Sequence, residues 1–302
     1  MQPLALVSAS DSAFRLKRLV LDSLRSEHSR RAYLQALDDF FRWFEAAPRG
    51  PFGRALVQEY RAHLEKLNLA PSTINVRLSA LRKLASESAE NGYLDRATAQ
   101  GVMSLKSVRQ AGIRAGNWLT RDQARALIAQ PDATTLRGKR DRAILVLLVC
   151  CGLRRTELAG LRVEDIVQRE GRWVIADLPG KGGRLRTVPV PPPVKVAVDA
   201  WTDAADIRSG PLFRSTRPVD GARQAPLTGK MIWHPVAKYA AQIGVRDLAP
   251  HDLRRTCAKL CRAAGGELEQ IQFLLGHASI QTTERYLGSR QNLVEAVNDH
   301  LL

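Results

Sequence analysis

Cysteine is scarce in this chain, and long apolar runs are scarcer. Four cysteines stand among 302 residues as two close pairs, Cys150 with Cys151 and Cys257 with Cys261. Neither pair has the two-residue spacing of a zinc knuckle, and both fall inside apolar helical patterns. They read as buried free thiols and not as a disulfide framework, which matches a reducing, cytoplasmic setting. The longest apolar run, residues 143–151, is about half the length of a membrane span and predicts a buried helix. Residues 1–10 lack the basic stretch, apolar core and cleavage site of a secretion signal, so no export and no membrane partner is expected. Acidic residues are outnumbered too, 30 against 46 Lys and Arg, for a net charge of +16.

That excess of positive charge is the first positive feature. A surface this basic concentrates polyanions and favours phosphate contacts, which puts nucleic acid first among possible partners. The excess is spread along the chain: up to Gln110 there are 17 basic and 11 acidic residues, and beyond it 29 and 19. Two basic parts fit two domains gripping one polyanion better than an enzyme with a separate basic tail.

The length suggests about two domains. After a loose start, Ser29 is placed to cap a helix whose Tyr33, Leu37, Phe40, Phe41 and Phe44 recur at helical spacing. A helix over residues 55–67 follows. Pro71 then opens another, with Ile74, Leu78, Leu81 and Ala85 on one face and Asn75 and Arg82 on the opposite one. Residues 12–108 thus read as a small helical domain with basic outer faces. The apolar period lapses around two glycines, which places a linker at 109–117 and a second domain at 118–302. Thr120 and Gln123 carry a capping-box signature that starts the second domain. Helices are expected near 121–129, 141–151 and from Thr156. Two strand-like runs, 172–178 and 184–189, are joined by a glycine-rich hairpin turn. Helices return at 194–205, 230–243, 251–264, 268–275, 281–286 and 291–301.

Several residues of the second domain suit phosphate chemistry. Arg154 follows the buried helix in GLRRTEL (152–158), where Gly152 lets the chain turn and Glu157 stands three residues on. An arginine at the end of a rigid helix can fork onto phosphate oxygens, although an Arg and Glu at this spacing are more often a surface ion pair. In PHDLRRT (250–256), His251 and Arg254 project from one side of a helix N-terminus, whose dipole favours anions. Arg255 lies close to the same face, and spacing alone does not choose between the two arginines. LLGHASIQTTERYL (274–287) ends a helix at Gly276, presents His277, and places Tyr286 nine residues later, after a cap at Thr282 or Thr283. A phenol with a pKa near 10 needs neighbouring cations or a base before it becomes a nucleophile. No metal-ligand set is visible, and the Gly180-Lys181 pair lacks the spacing of a nucleotide-binding P-loop.

Taken in order, GLRRTEL, GKGGRLRTVPV, PHDLRRT, LLGH and TTERYL resemble the catalytic domain of tyrosine recombinases, the phage-integrase and Xer-like family. The helical segment before the linker resembles the family's core-binding domain. The resemblance implies a mainly α fold with a small β-hairpin or sheet, built as a two-domain DNA clamp. It implies DNA strand cleavage and rejoining through a 3′-phosphotyrosyl intermediate, with no metal, no nucleotide and no other cofactor. Under it Arg154 and Arg254 clamp the phosphate, and Lys181 is the general acid toward the departing 5′ oxygen. His251 takes part in proton transfer around Tyr286, His277 hydrogen-bonds the scissile phosphate, Tyr286 is the nucleophile, and Glu157 is the acidic supporting residue. Where many members carry a second histidine, this chain has Arg255. The implied partners are double-stranded DNA with a specific core site and, through an apolar stripe over residues 292–302, further copies of the chain in a homotetramer. A type IB topoisomerase and a catalytically inactive DNA-binding relative are the rival readings.

Overall fold

The computed structural model describes residues 10–109, 117–180, 185–216, 225–277 and 279–287, leaving out the side chains of residues 10–13, 28, 285 and 286. The chain divides into two compact units, Met1–Arg114 and Ala115–Leu302.

The first unit is helical throughout its described part: α1 (Ser10–Asp22), α2 (Glu27–Glu45), α3 (Arg54–Lys66), α4 (Pro71–Glu90) and α5 (Arg96–Met103). The start is not loose, since α1 buries Leu16 and Val20 in the unit's core. Leu16, Leu19, Val20 and Leu24 stand at helical spacing, so the sequence did carry the signal of this helix. Phe40 is the hub, with the rings of Tyr60, Phe41, Phe52 and Phe44 at 5.1, 5.6, 6.0 and 6.2 Å. The cap of α2 is Ser26, whose hydroxyl accepts the amide of Ser29, so the helix begins one turn before the expected Ser29. Asn75 and Arg82, read on the face of α4 opposite its apolar one, fasten the segment that follows α5: Asn75 exchanges two hydrogen bonds with the Val108 backbone at 2.8 and 3.0 Å, and Arg82 donates to the carbonyl of Leu105 at 2.6 Å.

The second unit holds α6 (Arg121–Ala129), α7 (Leu136–Cys150), α8 (Arg155–Gly160), α9 (Pro192–Ala204), α10 (Gly229–Gln242), α11 (Pro250–Ala263), α12 (Leu268–Leu275) and α13 (Ile280–Leu287). The Thr120–Gln123 capping box forms as read. The second half of α7 is apolar all round because it is enclosed: residues 143–149 are all buried, in a helix packed against α9 and α11. Of the four cysteines, which are all free, Cys151 and Cys257 are buried and Cys261 is partly so. Cys150 departs from the expectation and is exposed, since it ends the helix on the side facing away from the core.

The sheet has three antiparallel strands in the order β1 (Ile166–Arg169), β2 (Arg172–Pro179) and β3 (Leu185–Pro189). β1 went unread because four residues give too short an alternation. Between β2 and β3 the register slips by one residue: Ile175 pairs with Val188, but Leu178 pairs with Arg186. The bulge places Asp177 at φ +50° and re-aims the end of the hairpin, a common device beside functional sites. Among the described residues no helix is long and apolar enough to cross a membrane.

Candidate active site

Three chain reversals build the site. α7 ends at Gly152, whose φ of +59° only a glycine adopts easily, and an added Cβ there would meet Leu275 Cδ2 at 2.9 Å and Cys257 Sγ at 3.2 Å. The sharp turn sets Arg154 at the N-cap of α8, where its backbone N–H donates to Glu157 Oε2 at 2.7 Å and its Nη1 to Oε1 at 2.6 Å. α11 starts at Pro250, with Asp252 accepting the Ala249 amide at 3.0 Å, and this fixes His251 on its first turn. α12 ends in a left-handed residue, Gly276 at φ +61°, and presents His277.

The two arginines left open by spacing are told apart here. Arg255 pairs with Asp252 on its own helix at 3.3 Å. Arg254 is only 1% exposed and turns inward, donating from Nη1 to the carbonyl of Gly152 at 2.6 Å and from Nη2 to the carbonyl of Leu275. It therefore ties the turn that carries Arg154 to the turn that carries His277.

His277 is held on three sides. Its amide donates to the carbonyl of Gln272 at 3.2 Å, and its carbonyl accepts from Gln272 Nε2 at 3.1 Å. Its Nδ1 shares a 2.9 Å hydrogen bond with Thr283 Oγ1. Thr283 was read as a possible cap of the last helix. That helix starts at Ile280, however, so Thr283 lies inside it, fully buried.

The electrostatics record the convergence. Burial, then the charges of Arg254, Arg154 and Arg186 and the nearness of His251, push His277 down to about 4, so its ring is neutral at pH 7. Partial desolvation and the charges of Arg255, Arg254 and Arg154 hold His251 below the usual histidine value. Burial would raise the carboxyl of Glu157. Hydrogen bonds from Arg186 and the Arg154 backbone, with the Arg186 charge, overcome that and keep it ionised down to about 2. A cation-lined place with two neutral imidazoles can hold a phosphate and accept a proton. Beside it opens a cleft of about 330 Å³ lined by Gly180, Leu185, Arg186, Thr187, Phe273 and His277 among others.

Arg154, Glu157, His251, Arg254 and His277 are thus gathered together. Lys181 lies outside the described residues, as does the segment 292–302. Tyr286 sits on α13, its backbone described and its side chain not. Its neighbour Leu287 packs with Ala258, Ile271 and Leu275 of α11 and α12, and Thr283, one turn back, bonds His277. One residue of the gathering went unread in the sequence, namely Arg186. On β3 it alternates with the fully buried Val188, so a charged residue at an inward position of a strand was the available signal.

Comparison with known proteins agrees with this architecture. The phage integrase family profile matches residues 117–292, and that of its N-terminal SAM-like domain matches residues 16–92. The tyrosine recombinase XerC of Thermodesulfovibrio yellowstonii is 31% identical over 281 residues, covering 90% of this chain and 89% of that protein. The tyrosine recombinase XerD of Xanthomonas axonopodis pv. citri is 30% identical over 285 residues, covering 89% and 90%. Among solved structures, the XerH site-specific recombinase bound to a palindromic difH substrate shares the fold with a TM-score of 0.70 at 18% identity, covering 91% of this chain and 92% of that one. A lambda integrase dimer bound to a core site does so with a TM-score of 0.68 at 16% identity, covering 94% and 79%.

Proposed function

The chain belongs to the phage integrase family of tyrosine recombinases, which makes it a site-specific DNA recombinase, and from that premise we propose how its own residues divide the work. Tyr286 attacks the scissile phosphorus, the bond to the 5′ oxygen breaks, and a 3′-phosphotyrosyl bond takes its place. His251 receives the phenolic proton and Lys181 gives one to the departing 5′ oxygen. Arg154, Arg254 and His277 stabilise the charge that builds on the non-bridging oxygens. The phosphotyrosyl ester conserves the energy of the broken bond, so a 5′ hydroxyl from a second duplex can reverse the step without ATP.

A single observation carries this reading. Arg254 hydrogen-bonds the carbonyls of Gly152 and Leu275, so the turns that carry Arg154 and His277 meet at one buried side chain, with His251 three residues before it on the same helix, and Thr283 ties that place to the helix bearing Tyr286. In the same proposal residues 12–108 form the core-binding domain, 109–117 the linker and 118–302 the catalytic domain, the two domains closing on double-stranded DNA as a clamp. The apolar stripe at 292–302 docks on a neighbouring copy and builds a homotetramer on two duplexes. The protein works in the cytoplasm, on the nucleoid.

The test uses a duplex selected by this protein from a randomised pool and nicked beside the cleavage point. Wild type should yield a covalent protein–DNA band on a denaturing gel, and Tyr286→Phe none. A band that persists in the variant removes Tyr286 from the mechanism.

A further inference from the structure

We infer that Arg186 is a positioning residue of the cleavage site, holding Arg154 and His277 in register with one another. The inference rests on the proposed roles of those two residues. The geometry is a clamp with three arms. Arg186 Nη1 donates to Glu157 Oε1 at 2.9 Å and Nη2 to Oε2 at 2.8 Å, a bidentate fork, while Nε donates to the carbonyl of Leu274 at 3.2 Å. Each Glu157 oxygen also receives one hydrogen bond from Arg154, at 2.6 and 2.7 Å. Arg154 is therefore set by a carboxylate whose own orientation Arg186 decides.

The third arm reaches the other half of the site. Leu274 is two residues before Gly276 and three before His277. A Cβ on Gly276 would stand 2.8 Å from Arg186 Cδ and 3.2 Å from its Nε. The turn that presents His277 is thus moulded against this one side chain. Because Arg186 belongs to β3, it also joins both parts to the strand that leaves the hairpin carrying Lys181. Its Nε, Nη1 and Nη2 are all engaged by Glu157 and Leu274, the groups that set Arg154 and the His277 turn, so its part is to orient the groups that meet the phosphate. Lysine is no substitute, since one ammonium on a flexible stem cannot reproduce a planar fork and a third bond at once.

The experiment compares single-turnover cleavage by Arg186→Lys and wild type on the selected duplex. It uses two versions of the scissile group, the natural phosphate and a methylphosphonate in which a methyl replaces one non-bridging oxygen. Arg186→Lys should bind the duplex as wild type does and cleave the phosphate about 100-fold more slowly, as expected for reacting groups displaced by about 1 Å. On the methylphosphonate, which lacks the charge that Arg154 stabilises, the deficit should largely disappear. Glu157→Gln, which breaks the same fork from the other side, should show the same rescue and serves where the lysine variant does not fold. Wild-type rates on the phosphate, or an equal deficit on both substrates, overturn the positioning role; so does a loss of binding. Arg154→Ala and Tyr286→Phe run alongside: if they cleave normally the parent mechanism falls, and if only the Arg186 and Glu157 variants do, the positioning role alone falls.

Discussion

The second unit contains two buried arginine–carboxylate clusters, and they make opposite uses of the same chemistry. In the first, Asp141 of α7 is wholly buried, accepting from Arg140 at 2.7 and 3.0 Å and from the Tyr239 hydroxyl at 3.2 Å. Burial and the Asp141 charge drive that phenol up to about 12, which makes it a locked hydrogen-bond donor. In the second, Glu157 is just as tightly bonded, but one of its partners, Arg154, keeps 30% of its side chain exposed, and Arg254, His251 and His277 gather nearby. A buried ion pair is weak evidence of either stability or function. The Asp141 cluster has a second and exposed cation as well, Arg137 at 3.6 Å, so what separates the two is the pair of histidines gathered at Glu157 and the cleft that opens beside His277.

The contrast can be broken by mutation. Asp141→Asn leaves Arg140 buried without its counter-charge and should cost about 3–5 kcal/mol of folding stability in urea denaturation. Cleavage per folded molecule should not change. A loss below about 1 kcal/mol would place the Asp141 cluster among ordinary surface pairs. Arg154→Ala should do the reverse, holding stability near wild type while slowing single-turnover cleavage by about 100- to 1,000-fold with duplex binding intact. If binding falls in step with cleavage, Arg154 is a docking contact and not part of the chemistry. Thr283→Val removes the partner of His277 Nδ1 at nearly constant volume and should cost about 1 kcal/mol, seen as a roughly fivefold slower cleavage. Unchanged rates would detach His277 orientation from α13.

The last effect concerns pH. In the fold His277 titrates at about 4 against 6.5 when free, so on acidification the unfolded chain takes up the proton first. Its contribution to stability is complete above 6.5 and declines between 6.5 and 4. Glu157, held at about 2 against 4.5, follows at lower pH, its contribution complete above 4.5 and lost as pH falls through 2. His277→Gln should flatten the upper part of the stability profile only. Parallel profiles for wild type and variant between pH 6.5 and 4.5 would contradict the assignment.

Much of this was readable from order and spacing. The capping box at Thr120, the enclosed helix before Gly152 and the left-handed stop at Gly276 are local events, governed by residues within a turn of each other. The membership of Arg154, Glu157, His251, Arg254 and His277 in one motif series was implied by the ordered resemblance to a family and not by any local rule, since spacing alone left Arg254 and Arg255 undecided. Ser29 and Thr283 were misread as caps because a hydroxyl near a helix start signals the neighbourhood of a cap and not its position. Ser26 does the capping, and Thr283 serves His277.

The sequence by itself determined the groups available to this protein: a basic chain, a tyrosine late in it that we propose as the nucleophile, and an ordered series of cations and histidines before it. Only the tertiary structure decided which arginine turns inward, which hydroxyl orients His277 and which side chain joins the halves of the site. The arginine choices are contacts between residues 21 to 102 positions apart, Arg254 with Leu275 and Gly152 and Arg186 with Glu157 and Leu274, while the hydroxyl, six positions from His277, is chosen by how α13 packs back on the turn. Helical and strand periodicity place a side chain on a face, but the neighbour across that face is set by how the elements pack, and packing has no local signature in the chain.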